Sequence, residues 1–361
     1  MICGVSDFTP SRLTLARERR GMTQRDLGAS AGVSDRMIRA YESGEKNPTP
    51  ETLATIANIL MFPLSFFERP PVDSLSLDAA SFRALSKASA ALRARTVAAG
   101  TIALEFYTYL CRHFQMPEPK VPDLRNYTPE RAAECVRHMW GIGQQPIPNV
   151  VHMLEKHGVR VFSLSEDCDA IDAFSTWRNG VPFVFLNNRK TPERGIFDAA
   201  HELGHLILHQ HGTPQGRDAE READSFAAAF LLPESAIRAS APRMPTVATV
   251  AAMKRTWRAS VAAIGYRLHE LGLMSDWHYK HFNIELSRRG RQNEPSPLAR
   301  ETSAIIRKAL AELAEEGCGL RDIAAELHLP VSELQALSFG MHVVEGGRSG
   351  SGPRRGNLRA I

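Results

Sequence analysis

Residues Asp198 to His209 read Asp-Ala-Ala-His-Glu-Leu-Gly-His-Leu-Ile-Leu-His, and no other stretch constrains this chain as tightly. His201 and His205 are four residues apart, and Glu202 directly follows the first. On a helix such a pair lies on one face, one turn apart. Both imidazoles then reach a single Zn2+ at about 2.0–2.1 Å, and Glu202 is placed to serve as general base toward a water. Ala199, Ala200, Leu203, Leu206, Ile207 and Leu208 make the segment apolar, as a buried helix requires. Thr191-Pro192 supplies an N-cap followed by proline at the first helical position. Two unpartnered histidines in such a helix are costly to bury, and a metal ion removes that cost.

Two histidines leave a catalytic zinc short of ligands, because such sites take three protein donors and keep one position open. The segment from Glu220 to Pro233 offers carboxylates at Glu220, Glu222 and Asp224 ahead of an apolar helical face made by Phe226, Ala227, Phe230 and Leu231. Glu220 and Asp224 share a helix face. Glu220 is assigned as the third ligand and Asp224 as the acceptor for a ligand histidine N–H. Glu222 points elsewhere and is the rival ligand. The plainer alternative is a solvated acidic first turn on a core helix. His209 is expected one turn beyond the site at the helix end, where a cation is favoured, and not as a ligand. His152, His157, Tyr266 and Arg267 are the candidates for contacting a transition state.

Taken in order, several segments resemble the ImmA/IrrE family of metallo-endopeptidases. They are Asn187-Asn188, Glu193-Arg194 with Phe197, His201-Glu-Leu-Gly-His205, and Glu220-x-x-Ala-Asp224-x-Phe-Ala with Leu231-Leu232-Pro233. The likeness continues through Val261 to Ser275. It implies a zincin-like α+β domain with a small sheet, and a Zn2+ held by His201, His205 and Glu220. It further implies Glu202 as the base and helix-turn-helix repressors as substrates. Ile196-Phe197-Asp198 departs from the Phe-Thr-x common at that place without disturbing the site.

At 361 residues the chain suggests two or three domains. A net charge of +4 permits nucleic-acid binding without demanding it. Five cysteines, Cys3, Cys111, Cys135, Cys168 and Cys318, show no zinc-knuckle or redox spacing, and their odd number argues against a disulfide framework. A reducing cytoplasm fits. The opening Met-Ile-Cys-Gly lacks a charged region before an apolar run, so no signal peptide is expected. No stretch is apolar for long enough to suggest a membrane span.

Residues 8–68 read as five short helices. Thr23 caps the second, with Asp26 in the capping-box position. Gly32 turns the chain, Ser34 caps a third helix from Asp35 to Glu42, and Pro50 opens a fourth. Helix, glycine turn, helix is the geometry that lays a recognition helix in the major groove. Met22-Thr-Gln-Arg-Asp-Leu27, Gly32-Val-Ser34, Ile38, Tyr41-Glu42-Ser-Gly44 and Pro48 resemble the Xre/Cro-type helix-turn-helix family. The resemblance implies that Gln24 contacts phosphate and that Ser34, Asp35, Arg36 and Arg39 face the groove, where arginine reads guanine bidentately. Residues 1–70 hold nine Arg/Lys against eight Asp/Glu, so charge-driven, non-specific affinity is expected to be weak. Dimerisation or a bound partner would compensate. Docking of another protein is the other use of such a module.

The expected organisation is α+β and multidomain. An all-α five-helix helix-turn-helix domain (1–70) leads to a helical bridge and linker (71–127), which includes a loosely amphipathic stretch from Ser74 to Leu85. The bridge's long helix, from about Ser86 to Phe114, is broken by Pro117, Pro119 and Pro122. The zincin-like metallopeptidase domain follows (128–285). It holds a strand from Val159 to Leu164 and a hairpin turning at Asn179-Gly180. A helical module with helix-turn-helix rhythm (286–342) and a disordered tail (343–361) close the chain.

These features predict a DNA-binding transcriptional regulator that is also a zinc-dependent endopeptidase. Its partners would be a DNA operator and an Xre-type repressor substrate, with homodimerisation as one way to strengthen DNA binding. Two other readings remain open. One is a regulator whose metal domain senses a partner without proteolysis, and the other is an antitoxin-like component.

Overall fold

The computed structural model describes residues 8–75, 89–164, 171–210, 216–288, 296–341 and 356–357. The chain divides into two compact units. One comprises residues 1–116, 162–171 and 305–359, and the other comprises 117–161, 172–304 and 360–361. Sixteen α-helices and a small three-stranded sheet make an α+β, multidomain chain among the described residues. No helix among them is long and apolar enough to cross a membrane.

The first unit begins with α1 (Pro10–Arg19), α2 (Gln24–Ala31), α3 (Asp35–Glu42) and α4 (Pro50–Leu60). The fifth expected helix is a 3-10 turn, Leu64–Glu68. Thr23 and Asp26 form the capping box, and Gly32 ends α2 in the left-handed region at φ 70°. Ser34 accepts from the Met37 backbone N–H and starts α3. Gly28 is required by close approach, because a Cβ there would lie 2.8 Å from the Val33 carbonyl oxygen. Leu13, Leu27, Ile38, Ile56, Leu60 and Phe66 are fully buried and form the core of this bundle. Arg17 grips both carboxylate oxygens of Glu42, at 2.5 and 3.1 Å, which ties α1 to the end of α3. Ser89 caps the long helix α5 (Ala90–His113). Buried Arg12 joins α1 to α5 through a bidentate pair with Glu105 at 2.7 and 3.1 Å. Residues 76–88, where most of the expected amphipathic stretch falls, lie outside the described residues.

In the second unit the proline-bearing segment is not a free linker. Lys120 N–H donates to the His157 carbonyl at 2.8 Å, and Arg160 Nη2 donates to Pro117 O at 2.7 Å. Trp140 Nε1 donates to Lys120 O at 3.1 Å. Proline ended the helix as expected, but the remaining backbone groups find partners on the domain surface. Helices α6 (Pro129–Met139) and α7 (Val150–Lys156) lead to strand β1 (Arg160–Leu164), whose residues 162–164 belong to the first unit, and strands β2 (Ala173–Arg178) and β3 (Val181–Asn187) follow. The sheet order is β1-β3-β2, so β2 lies at an edge. β2 and β3 pair antiparallel, with Ala173 opposite Leu186 and Arg178 opposite Val181. Asn179 and Gly180, at φ 49° and 74°, make the turn, as the Asn-Gly signal requires.

Helix α8 (Pro192–Leu208) follows, capped by Thr191, and α9 (Arg217–Leu231) packs against it. Gly204 allows the approach: a Cβ there would sit 3.1 Å from Phe226 Cδ1 and 3.2 Å from Ala223 Cα. Leu203 and Ile207 are fully buried on α8, as are Phe226, Ala227 and Phe230 on α9. Four further helices complete this unit: α10 (Glu234–Ser240), α11 (Val247–Trp257), α12 (Val261–Glu270) and α13 (Asp276–Arg288). Lys254 of α11 and Glu193 of α8 form a fully buried ion pair at 2.7 Å.

Residues 298–304, expected to lie in the separate helical module 286–342, are bonded into this second unit. Glu301 accepts from Val150 N–H and Val151 N–H at 2.7 and 3.1 Å, which satisfies the start of α7. Glu155 accepts from Ala304 N–H at 2.8 Å.

The chain then returns to the first unit through α14 (Ala304–Glu315), α15 (Leu320–Leu327) and α16 (Val331–Leu337). Glu333 of α16 accepts from Arg19 Nε at 2.7 Å and from Arg20 Nη1 at 2.6 Å. The closing helices therefore share a compact unit with the N-terminal bundle. Most of the expected disordered tail lies outside the described residues. Gly356–Asn357 pair in parallel with Phe114–Gln115.

Candidate metal centre and helix-turn-helix surface

Helices α8 and α9 bring His201, His205 and Glu220 together. Their ligand atoms all lie within 4.8 Å of one another. His201 Nε2 and His205 Nε2 are 3.0 Å apart, and the Glu220 carboxylate oxygens lie 3.8 and 3.6 Å from them. The helical repeat stacks the two imidazoles on one face of α8. Glu220, in the first turn of α9, meets them because Gly204 lets the two helices close.

The outer nitrogens of both rings are held. His201 Nδ1 lies 2.9 Å from Asp224 Oδ1. A carboxylate only accepts, so this nitrogen carries a proton, and in the neutral ring Nε2 presents the lone pair to the cluster. His205 Nδ1 lies 2.9 Å from His209 Nδ1, and His209 Nε2 lies 3.0 Å from Glu222 Oε2. Glu222, the rival ligand, is thus turned to His209 and away from the cluster. The pairing of His209 and Glu222 was not anticipated from sequence. The signal for it was the second four-residue histidine spacing, from 205 to 209, combined with the carboxylate at 222.

This donor set fits a zinc ion. Two imidazole nitrogens and one carboxylate oxygen converge, each histidine is oriented by a neighbour, and the cluster sits at a helix pair with little exposure. Burial, opposed by Glu220, pushes His205 down to about 4. Burial also disfavours the charged form of His201, but the Asp224 hydrogen bond and the charges of Glu202, Asp224 and Glu220 carry it above its ordinary value.

Glu202 directly follows His201 on α8 and interacts with the charges of His201 and Glu220. Its carboxylate is buried and accepts from the Ser175 hydroxyl of β2 at 2.6 Å. Burial pushes it up to about 7, against the pull of His201 and the Ser175 bond. Asp198, one turn earlier, is likewise raised to about 7 by burial, and pairs with Arg194 at 2.9 Å.

A cavity of about 670 Å³ lies beside α8 and α9 and is bordered by Asp224. Phe197, Ala228, Leu231 and Ala263 give it an apolar wall, and the half-exposed Tyr266 stands at its margin. Of the proposed transition-state partners, only Tyr266 lines this space. His157 instead stacks on Trp140 at 4.1 Å and bonds the Met153 carbonyl. Arg267 is buried, donating to Leu232 O and Glu270.

In the first unit, Ser34, Asp35, Arg36 and Arg39 all face solvent on α3. Gln24, at the start of α2, is half-buried. Its Nε2 donates to Glu42 Oε2 at 2.7 Å, and its Oε1 accepts from Arg39 Nε at 3.4 Å. The Arg17–Glu42–Gln24–Arg39 chain thereby fixes α2 against α3.

The helix-turn-helix bundle and the domain that carries the histidine–carboxylate cluster each match a known family. Residues 13–67 match the helix-turn-helix family, and residues 154–269 match the IrrE N-terminal-like domain. The chain therefore joins an Xre-type helix-turn-helix domain to an ImmA/IrrE-like peptidase-family domain. It is also similar to two proteins described as uncharacterized HTH-type transcriptional regulators, from Sinorhizobium medicae and Rhizobium meliloti. Each is 40% identical over 57 residues, which is 16% of this chain and 41% of the relative.

Proposed function

We propose that this protein is a DNA-binding transcriptional regulator that hydrolyses peptide bonds in a protein partner at a zinc centre formed by His201, His205 and Glu220. The observation that carries the reading is the convergence of the two Nε2 atoms, 3.0 Å apart, on the Glu220 carboxylate, with Glu202 on the same helix. Zinc, when bound there, supplies Lewis acidity toward a scissile carbonyl and a water.

The chain's own residues do the rest. Glu202 accepts the proton of the attacking water and returns it to the leaving amine. A carboxyl raised to about 7 by burial exchanges a proton readily near neutral pH. Ser175 holds that carboxylate in one orientation. Strand β2, at the edge of the sheet, carries Ser175 to that carboxylate. The cavity beside Asp224 has room for an apolar side chain of a polypeptide. A helix-turn-helix repressor is the substrate favoured here, because the N-terminal bundle would hold the enzyme at the operator where such a repressor sits.

Glu202→Gln separates this reading from its rival. Zinc-loaded wild type and the variant are incubated with a randomised peptide library, and new N-termini are identified by mass spectrometry. Cleavage by wild type alone, with equal zinc in both, supports the peptidase. No cleavage by fully loaded wild type favours a regulator whose metal domain binds without cutting. The burial of Glu202 against Ser175 is the observation on that side.

A further inference from the structure

We infer that Glu222 and His209 are positioning residues that select Nε2 of His205 as its metal-binding atom. The inference rests on the reading of His201, His205 and Glu220 as a metal centre.

Glu222 Oε2 lies 3.0 Å from His209 Nε2. An ionised carboxylate has no hydrogen to give, so His209 Nε2 is the donor. A neutral imidazole carries one N–H, which leaves His209 Nδ1 as an acceptor. That atom lies 2.9 Å from His205 Nδ1. Where no metal ion stands between them, two nitrogens this close share one hydrogen, so here it belongs to His205 Nδ1. Neutral His205 then has its lone pair on Nε2, the atom that faces His201 Nε2 and Glu220.

The opposite assignment puts the proton on His209 Nδ1 and a hydrogen on His205 Nε2. It would either set a bare His209 Nε2 against a carboxylate or require His209 to be an imidazolium, and it would block the ligand atom. Glu222 thus reaches the metal centre through two imidazoles without touching it.

His201 is treated the same way by a shorter route, since Asp224 takes the Nδ1 hydrogen directly. The two ligand histidines are therefore set by carboxylates from the same helix, α9, one directly and one through His209. The His209 side chain is only 6% exposed, so water does not readily replace it as the acceptor. Glu222 is 40% exposed, so replacing it leaves the core intact.

The test measures zinc affinity of the full chain by competition with a fluorescent chelator. It compares wild type, Glu222→Ala, Glu222→Gln and His209→Ala. Histidine tautomers are read from long-range 1H–15N NMR on the metal-free and zinc-loaded proteins. Loss of a residue that orients a ligand typically weakens metal binding about 10–100-fold. That loss is expected for His209→Ala and Glu222→Ala. Glu222→Gln keeps an acceptor oxygen, so it is expected to bind within about threefold of wild type, with His209 still in its Nε2–H form.

Wild-type affinity in Glu222→Ala, or equal loss in the Gln and Ala variants, would overturn the relay. If wild type takes up no zinc, the metal reading fails, yet the NMR still decides the relay. A metal-free His209 in the Nε2–H form sustains it, and one in the Nδ1–H form ends it.

Discussion

Asp224, on α9, reaches His201 on α8 with its carboxylate 2.9 Å from the ring's Nδ1, and at 60% exposure it also borders the cavity beside the metal cluster. The bond sets the tautomer of one ligand and couples the two helices at the site. Asp224→Ala is expected to weaken zinc binding by about 10–100-fold, while Asp224→Asn, which keeps an acceptor oxygen, loses less. Chelator competition measures both. Equal affinity in all three proteins would remove Asp224 from the centre.

Gly204 governs how closely α8 and α9 approach. A methyl group there meets Phe226 Cδ1 at 3.1 Å and Ala223 Cα at 3.2 Å, so the Phe226 ring or the α9 backbone must give slightly. Gly204→Ala is expected to destabilise the second unit by about 1–3 kcal/mol, the usual cost of overpacking. It should also weaken zinc binding, because Glu220 moves with α9. Thermal unfolding with and without zinc measures this. An unchanged midpoint would mean the interface yields freely.

Glu333 answers two arginines at the end of α1, and both it and Arg19 are 3% exposed. Removing one partner of a buried pair strands charge and typically costs about 3–5 kcal/mol. Glu333→Ala should lower the stability of the first unit by that order, although the residue lies far from the helix-turn-helix in sequence. Urea unfolding followed on both units gives the answer. A loss under about 1 kcal/mol would show that the pair is solvated in practice.

Arg36 and Arg39 project from α3 into solvent, and Arg39 also holds Gln24. If they read bases, each alanine variant should lose about 1–3 kcal/mol on a duplex selected from a random pool and relax the sequence preference. If they touch phosphate, affinity should fall evenly and the salt slope should decrease by about 1. Binding isotherms at several salt concentrations distinguish the two. Unchanged binding in both variants would mean α3 does not face DNA.

Much of this protein was legible from local sequence. Thr23 with Asp26, Ser34 and Thr191 all start helices, because capping involves only a few neighbouring residues. The Asn179-Gly180 turn and the one-face stacking of His201 and His205 are likewise short-range consequences of backbone geometry. Helical phase set Glu222 apart from Glu220 and Asp224, and each of the three has a distinct partner.

Long-range pairing belonged to the tertiary structure. Proline signals at 117–122 marked a helix end but said nothing of where the following backbone would find hydrogen-bond partners. Nothing near Glu333 announces Arg19, and nothing near Glu301 announces the start of α7. His209 carried its four-residue spacing openly, yet its role depends on a carboxylate delivered by another helix. The sequence by itself determined the helices, the hairpin and the ligand face, because those depend on residues a few positions apart. Only the tertiary structure decided which charges meet in the interior, because desolvated groups must take whatever partner the fold brings within reach.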